Sequence, residues 1–408
     1  MRKRLISQER RPLGCANRCQ QNGWQIRRKI QHEHFTELME WSERKHELIV
    51  NYLKGFVKIL GGSTKGVVYY IDGFAGPGIY NDGAKGSPIR AAEYAQTLVD
   101  KYYQLHCINV EAVQHLFDNL EKNTLPYSVF TTNYCGTLAD HVDEILDQIA
   151  DRPAIFFLDP FGLKGIEWEH IYPVLKRPHI TEVLLRVNRQ DISRLAGFAD
   201  SDSRSAPKKR QVLTNLYGFS DSSQWKQVWH TGGTDSLVEL YMRRLLDAVG
   251  HERGGSYVCT YAIKSIEGRL KYYLIFRTRH PKGAILMSNT IYGRERCYER
   301  DVTEYEEQCI ARQPARQLTM FEVLAPSPTE EEIFASVVSR LKEDIWREFE
   351  GKRASGMDIH KAMLPKWFGR VSSPHFTRAF EQLEEEKQIT HRSGPRSNPY
   401  TKFVFRSS

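Results

Sequence analysis

The segment YIDGFAGPG (70–78) places an acid and three glycines directly after an apolar run, Val67–Ile71. Such a run is typical of a buried parallel strand. Gly73, Gly76 and Gly78 each permit a positive φ or a close backbone approach that a side chain would forbid. In an open α/β sheet, ligands bind in loops at the carboxyl ends of strands. We therefore expect this loop to cradle a ligand, with an ordinary glycine turn as the alternative.

The acid that begins this loop indicates the charge of the ligand. The spacing Asp-Gly-x-x-Gly-x-Gly differs from the G-x-G-x-x-G fingerprint, whose glycines bring a pyrophosphate to a helix N-terminus. An acid at the mouth of the loop would repel an anion and attract an ammonium or a sulfonium. S-adenosylmethionine carries both, so the loop is predicted to hold its amino-acid end. The residues assigned to it are Asp72, Gly73, Phe74, Ala75, Gly76 and Gly78.

Two more polar side chains follow the next predicted strands. Glu111 ends the second strand, where an acid can accept both hydroxyl groups of a ribose. Asn133 follows the third strand and is predicted to bind the adenine edge, with a plain Asx turn as the alternative. Together with the glycine loop, these residues would complete a cofactor site.

The segment FFLDPFGLKG (156–165) suits a planar amine. Asp159 ends a buried strand, and Pro160 removes an amide donor and stiffens the backbone. The carboxylate and the Pro160 carbonyl would accept the N–H groups of the amine, while the Phe161 ring stacks on the base. Asp159, Pro160 and Phe161 are therefore the predicted catalytic residues, and a turn with a buried aromatic ring is the alternative.

Five further residues are weaker candidates for binding the substrate. Each has a structural alternative, such as a surface turn or a salt bridge at the edge of the core. No metal is needed for this chemistry, and the C-x3-C pair at Cys15 and Cys19 has no second ligand pair close by. The candidates are Tyr80, Lys85, Lys45, His46 and Arg186.

Apolar runs and amphipathic stretches alternate through the region that carries these residues. This alternation predicts a mostly parallel sheet with helices on both faces. Two later strands, Tyr257–Ala262 and Lys271–Arg277, are separated by a turn at Glu267-Gly268 and would close the sheet as a hairpin. The other strand candidates are Val67–Asp72, Leu105–Val110, Ser128–Thr132, Ala154–Asp159 and Glu182–Val187, and the helix candidates are Ile89–Tyr102, Ala112–Lys122, Leu138–Ile149 and Trp168–Leu175.

The remaining segments divide the chain. Residues 1–35 are predicted to form a basic flexible arm, and 36–293 a Rossmann-like domain. In that domain a helix with an apolar stripe over Ile49–Leu60 would end at Gly61-Gly62. An insertion at 192–256 would contain a polar loop over Ser201–Arg210 and a helix over Ser236–Val249.

The C-terminal part is predicted to be a separate domain. Residues 294–328 are charged and contain proline, which indicates a linker. In 329–408, three helices and a hairpin describe a winged helix-turn-helix. The helices are predicted at Ile333–Phe349, Met357–Met363 and Pro374–Lys387, and the strands at Gln388–His391 and Thr401–Phe405.

Composition limits the class of protein. The 408 residues carry a net charge of +8 and a pI near 9.0. This balance favours an anionic partner, most often nucleic acid, although a solvated basic surface would give the same number. The seven cysteines are scattered, no apolar run approaches about 18 residues, and the N-terminus lacks the apolar core of a signal peptide. We expect a cytoplasmic protein that does not span a membrane.

The glycine loop, Glu111 and DPFG (159–162) resemble class I S-adenosylmethionine-dependent methyltransferases. More closely, roughly residues 36–405 resemble the bacterial three-Cys-motif partner protein family. The stretches that carry this resemblance are KHELIVNYL (45–53), YYIDGFAGPGIYNDGAKGSPIRA (69–91), FFLDPFGLKG (156–165) and KYYLIFRTRHPKG (271–283).

That family resemblance implies a methyltransferase-like fold and a partner with three clustered cysteines, itself similar to radical S-adenosylmethionine enzymes. It does not supply a substrate. DPFG is also similar to the corresponding motif of tRNA guanine N2-dimethyltransferases. Adenine N6-methyltransferases have Asp-Pro-Pro-aromatic, so Phe161 stands where a second proline is common.

We therefore predict in-line methyl transfer to an exocyclic amine of a nucleic-acid base. The basic arm, Lys208–Arg210 and the wing would hold the phosphate backbone. Two other functions stay open. The chain would then be a non-catalytic module that binds S-adenosylmethionine or nucleic acid for its partner, or a methyltransferase for a protein or small molecule.

Overall fold

The computed structural model of the protein describes residues 40–64, 66–248, 256–311 and 329–407. The predicted basic arm, the Cys15–Cys19 pair and residues 312–328 of the predicted linker lie outside them. The helices are α1 Glu40–Thr64, α2 Ser87–Gln96, α3 Gln114–Thr124, α4 Leu138–Ile149, α5 Trp168–Lys176, α6 Arg189–Ala196, α7 Ala206–Tyr217, α8 Ser223–Asp247, α9 Pro281–Ala311, α10 Glu330–Phe349, α11 Gly356–Trp367 and α12 Ser373–Glu385. The strands are β1 Val67–Asp72, β2 Gln104–Glu111, β3 Thr131–Cys135, β4 Ala154–Leu158, β5 Thr181–Val187, β6 Tyr257–Lys264, β7 Leu270–Thr278, β8 Arg353–Ser355, β9 Ile389–Arg392 and β10 Lys402–Phe405.

Seven strands form one twisted sheet in the order β3-β2-β1-β4-β5-β7-β6. Strands β1 to β5 pair in parallel, whereas β7 runs antiparallel to β5 and to β6. The order reverses between β1 and β4, which is where ligands bind in open sheets. The strand order and the closing hairpin confirm the predicted Rossmann-like class I methyltransferase fold.

Both faces of the sheet are buried, as the near-continuous apolar strands predict. Ile71 and Phe156 face one layer, made by α4 to α8. Tyr70 and Phe157 face the other layer, where α1, α2 and α9 pack. This second face matters for the site, because the residues that continue it at the carboxyl ends of β1 and β4 are Asp72 and Asp159.

Helix α1 does not end at Gly61-Gly62 but continues to Thr64, so that prediction was wrong. A Cβ on Gly61 would lie 2.9 Å from Tyr103 Cβ. Gly61 therefore serves a close approach between α1 and the segment before β2, rather than a helix end.

The predicted linker was also wrong where it can be compared, because 294–311 belong to the 31-residue helix α9. Tyr298 of α9 is buried, and the Arg44 guanidinium lies 3.8 Å from the centre of its ring. The many charges of this segment lie on a helix that packs against α1.

The insertion is more helical than expected. Residues 206–210 of the predicted polar loop begin α7, with Pro207 in its first turn.

The third strand begins at Thr131 rather than Ser128, because Leu125–Tyr127 form a 3₁₀ turn before it.

The C-terminal unit contains the elements that the winged helix-turn-helix prediction requires: α10, α11 and α12, then the β9–β10 hairpin, with β8 as a third strand. Its α11–α12 turn packs on α9, where Ser288 Oγ donates to Val371 O at 3.3 Å and accepts from Gly369 N at 3.0 Å. Across the described ranges, no helix is long and apolar enough to cross a membrane.

Candidate active site

The glycine loop after β1 is folded tightly against its neighbours. Gly76 and Gly78 have φ values of 64° and 78°, a region that favours glycine. Gly73 has an extended or right-handed backbone, but a Cβ there would lie 2.6 Å from Leu158 Cδ2. Each glycine of the loop is therefore required, two by conformation and one by contact with β4.

The backbone N–H groups of this loop are engaged within the protein. Gly73 N donates to Phe157 O at 3.0 Å, and Ala75 N donates to Val110 O at 3.0 Å. Gly76 N donates to a carboxylate oxygen of Glu111 at 2.9 Å. These contacts fix the loop across three strand ends, and they use the donors that an anionic ligand would need.

Asp72 does not stand at the mouth of the loop, which corrects the prediction. Its side chain is fully buried, and its carboxylate accepts from Ser87 Oγ at 2.6 Å and Tyr70 OH at 3.0 Å. Its other oxygen accepts from Phe74 N at 3.2 Å. Burial raises the pKa of Asp72 to about 6, although these three hydrogen bonds oppose the shift. A direct contact with a cofactor is still only a prediction.

Glu111 ends β2 and joins the loop to α3. One carboxylate oxygen accepts from Gly76 N and the other from Val113 N at 2.8 Å. Burial raises the pKa of Glu111, and the backbone donors oppose that shift. Each oxygen has a second lone pair, so the carboxylate retains capacity for further donors.

Asn133 lies inside β3 rather than after it. Its side-chain oxygen accepts from Asn109 Nδ2 at 2.9 Å, and its own Nδ2 donates to Thr124 Oγ1 at 2.8 Å. The strand continues to Cys135, so the loop that would contact an adenine begins later than the sequence indicated. The predicted adenine contact through Asn133 therefore competes with these bonds.

Asp159 follows β4 and lies within a group of three charges. Its Oδ2 forms an ion pair with Lys45 Nζ, and its Oδ1 lies 3.5 Å from Arg186 Nε. The side chains of Lys45 and Asp159 are 5% and 17% exposed, so both charges are largely withdrawn from water. Sequence reasoning treated Lys45 and Arg186 as weak, separate candidates, and the fold brings both to the predicted catalytic acid.

The two cations decide the protonation of Asp159. Burial alone would raise the pKa of this carboxyl, but the charges of Lys45 and Arg186 outweigh burial and lower it. Burial in turn lowers the pKa of Lys45, against the attraction of Asp159. We infer an ionised carboxylate at neutral pH, held between two cations.

The remaining parts of the DPFG segment differ in what they offer. The Pro160 carbonyl, predicted to accept from a substrate amine, already accepts from Arg186 Nη1 at 2.8 Å. Phe161 is 44% exposed at the rim of the site. The prediction of an aromatic face for stacking is thus compatible with its position.

Of the other candidates, His46 and Tyr80 lie near Asp159 and Lys85 does not. The His46 and Tyr80 ring centres are 6.3 Å apart. Burial, and then the charge of Lys45, hold the pKa of His46 well below its usual range. Lys85 is exposed and paired with Glu93 at 2.5 Å, which fits the surface-turn alternative.

Tyr272 was missed by the sequence analysis. Its ring centre lies 4.7 Å from the Arg186 guanidinium carbon and 5.8 Å from Lys45 Nζ. Its hydroxyl donates to Trp41 O at 3.0 Å, which ties β7 to α1. No local signal identifies this role, because Tyr272 sits in an ordinary apolar strand.

Among the described residues, no group of three His, Cys, Asp or Glu side chains could hold a metal ion.

No protein-family model matches the chain, and no curated protein matches it in sequence. Solved structures do resemble it. An O-methyltransferase from Bacillus cereus in complex with S-adenosylhomocysteine (SAH) is 11% identical, covers 63% of this chain and 89% of its own, and has a TM-score of 0.33. The O-methyltransferase TomG from Streptomyces achromogenes, in complex with S-adenosylmethionine (SAM), is 12% identical, covers 63% of this chain and 98% of its own, and has a TM-score of 0.30. A putative rRNA methylase from Clostridium thermocellum is 12% identical, covers 55% of this chain and 93% of its own, and has a TM-score of 0.27.

These likenesses are distant, so the class of fold rests on the strand order of the sheet itself. That order defines a class I methyltransferase fold. The carboxyl ends of the strands, where ligands bind in such sheets, carry a glycine loop after β1 and acids at the ends of β2 and β4.

Proposed function

We propose that the protein is a SAM-dependent methyltransferase that acts on an exocyclic amine of a nucleic-acid base. One observation carries the proposal. The loops after β1, β2 and β4 meet at one edge, with the glycine loop bonded to Glu111 on one side and an ionised Asp159 close to Asp72 on the other. A cofactor cradle and an acceptor site therefore adjoin.

The residues of the cradle fit the cofactor. Because Gly73, Ala75 and Gly76 have their amides engaged, the loop offers carbonyl oxygens, which suit an ammonium rather than a phosphate. The unused lone pairs of Glu111 suit the hydroxyl groups of a ribose. When bound, SAM supplies a methyl group already activated on a sulfonium.

The acceptor would be oriented by Asp159. Within the described residues, its Oδ1 is buried and has no hydrogen-bond donor, so it retains capacity for an amine N–H. Lys45 and Arg186 keep the carboxylate ionised, and Phe161 provides a face for the base. The amine nitrogen would form its new bond to the methyl carbon as the S–CH3 bond of SAM breaks and S-adenosylhomocysteine leaves. The proton that the methylated nitrogen loses would pass to solvent, and most of the rate acceleration would come from positioning. A duplex base would first be flipped out.

The partner is the second part of the proposal. The resemblance to three-Cys-motif partner proteins supports joint action with a three-cysteine, radical SAM-type protein. No contact surface for that protein is assigned.

A second candidate function is methyl transfer to a small molecule or a protein. It is favoured by the observation that Asp159 Oδ2 and the Pro160 carbonyl already accept from Lys45 and Arg186. An amino group with two N–H bonds then finds fewer vacant acceptors than the DPFG motif suggests. The non-catalytic module is the third candidate.

The experiment is transfer of labelled methyl from SAM to separated RNA, DNA, protein and small-molecule fractions, with and without the partner. Asp159→Ala is compared with Asp151→Ala, which removes an exposed carboxylate at the opposite edge of the sheet. SAM binding is measured separately by calorimetry.

Label in nucleic acid that Asp159→Ala abolishes and Asp151→Ala preserves supports the proposal, and nucleoside digestion identifies the base. Label only in protein or small molecules supports the second candidate. No label in any fraction, with SAM binding intact in the presence of the partner, indicates the non-catalytic module.

A further inference from the structure

The tip of the β6–β7 hairpin lies beside the Asp159 site. Its turn joins Lys264, the end of β6, to Leu270, the start of β7. Tyr272, two residues into β7, contacts both Arg186 and Lys45 through its ring. The tip also packs on the first turns of α1, where Arg44 Nη1 donates to Lys264 O at 2.8 Å. The hairpin tip and the start of α1 therefore form one rim of the site.

This rim is basic and aromatic. Lys264 and Arg269 are exposed, and Lys271 Nζ lies 4.3 Å from the centre of the Trp41 ring. The only carboxylate in the turn itself, Glu267, accepts from Ser265 Oγ and faces the charges of Lys271 and Arg269. We name Trp41, Lys264, Arg269 and Lys271 the hairpin rim, and its net charge is positive even with Glu267 included.

Two of the basic segments that the sequence indicated for backbone contacts, Lys208–Arg210 and the wing, lie within the described residues and make contacts inside the protein. Arg210 donates to Phe198 O and Ser201 O, and Lys209 lies 3.3 Å from the Phe198 ring centre. These contacts hold the insertion together. The prediction that Lys208–Arg210 binds phosphates therefore loses two of its three cations.

The winged unit is similarly engaged. Arg392 and Arg396 of the wing both pair with Glu384. The N-terminus of α12, the end that would read bases in a groove, is bonded to α9 through Ser373 N and Asn289 Oδ1 at 2.9 Å. Two cations of the wing and the recognition end of α12 are thus used within the molecule.

We infer that the hairpin rim holds the phosphate backbone of a single-stranded nucleic-acid substrate whose base enters beside Asp159. This inference rests on the proposed function. Cations that lie near phosphates release bound counterions, which favours binding and makes it depend on salt. A base can reach the largely buried Asp159 only when it is unpaired, which favours a single strand. Trp41 is partly buried against the core and holds Lys271 over its ring, which fixes that cation at the rim.

The test is binding of a fluorescent 20-nucleotide single-stranded RNA to the full chain, followed by anisotropy over a range of salt concentrations. DNA of the same sequence and the RNA duplex are the other arms. The variant is Lys264→Ala/Arg269→Ala/Lys271→Ala. Its control, Lys58→Ala/Lys101→Ala/Arg152→Ala, removes three exposed cations, one near the end of α1 and two just before β2 and β4, away from the carboxyl ends of the strands.

The rim variant is expected to lose affinity by about tenfold or more and to lower the salt slope by about 2, since each phosphate contact on a single strand contributes about 0.7. The control variant should change affinity by less than about twofold. Equal losses in the two variants, an unchanged salt slope, or no binding by the wild type would overturn the inference.

Methyl transfer separates this inference from the proposed function. If the wild type binds through the rim but labels no fraction, the rim is supported and the proposed reaction fails. If the rim variant methylates nucleic acid at the wild-type rate at substrate concentrations well below saturation, the reaction is supported and the rim fails. Asp159→Ala should retain binding and lose transfer.

Discussion

Replacing Glu182 by glutamine should alter how stability depends on pH. Glu182 lies near the start of β5 and is almost fully buried. Its carboxylate accepts from Tyr52 OH and from Thr278 Oγ1 at 2.9 Å. Burial raises its pKa to about 7 from an ordinary 4.5, although both hydroxyl groups and the charge of Arg277 oppose the shift. The folded protein therefore holds a proton that the unfolded chain releases.

The sign follows from linkage. Between pH 4.5 and 7 the folded state binds more protons than the unfolded state, so stability falls as the pH rises through this window. The gap in pKa corresponds to about 3 kcal/mol in total, and most of it falls between pH 5 and pH 8. Glu182→Gln removes this pH-dependent contribution. The substitution also changes the free energy of unfolding by an amount that does not vary with pH.

The assay is urea unfolding followed by tryptophan fluorescence at several pH values. The free energy of unfolding of Glu182→Gln, minus that of the wild type, should increase by about 2–3 kcal/mol from pH 5 to pH 8. Taking this difference cancels other titrating groups, including Asp72. Glu121→Gln, on the exposed side of α3, should give a difference that does not vary with pH. A constant difference for Glu182→Gln would refute the reasoning.

Two further predictions concern close packing and the charges of the site. Gly218→Ala should destabilise the protein by about 2 kcal/mol or more, because a Cβ would lie 2.3 Å from Trp168 at a φ of +66°. Gly268→Ala, with a φ of +76° and open space around it, should cost only about 1 kcal/mol, and equal costs in urea unfolding would contradict the packing argument. Lys45→Met should raise the pKa of Asp159 and cost about 2 kcal/mol or more at neutral pH, measured as a loss of stability that diminishes on acidification. An unchanged pH profile would show that Lys45 and Asp159 do not form a charged pair in solution.

Local sequence signals predicted the framework of the site well. Apolar runs end at Asp72, Glu111 and Asp159, and a strand end is a local property that hydrophobicity and glycines reveal. Parallel order then followed from the alternation of strands and helices. This is why the glycine loop and the two acids occupy one edge, as predicted.

Contacts distant in sequence were not predictable in the same way. Lys45 and Asp159 are 114 positions apart, and their pairing depends on how α1 packs across the sheet. The burial of Asp72 was also missed, although two of its hydrogen-bond donors, Tyr70 and Ser87, lie only 2 and 15 positions away. Helix α9 was missed because its charges resemble a linker until α1 supplies the surface on which it packs.

The preference of the loop for a cationic ligand stays a prediction, but the structure changes the physical reason for it. The sequence attributed this preference to an exposed Asp72, but that carboxylate is buried and bonded to three donors of the chain. The structure supplies another reason: the amides of Gly73, Ala75 and Gly76 donate within the protein, so these three donors are not available to a pyrophosphate. Asp72 contributes indirectly, by holding the turn in which those amides are engaged. We therefore expect Asp72→Asn to lower the stability of the loop. It should not reverse the sign of the charge on the ligand that the loop binds.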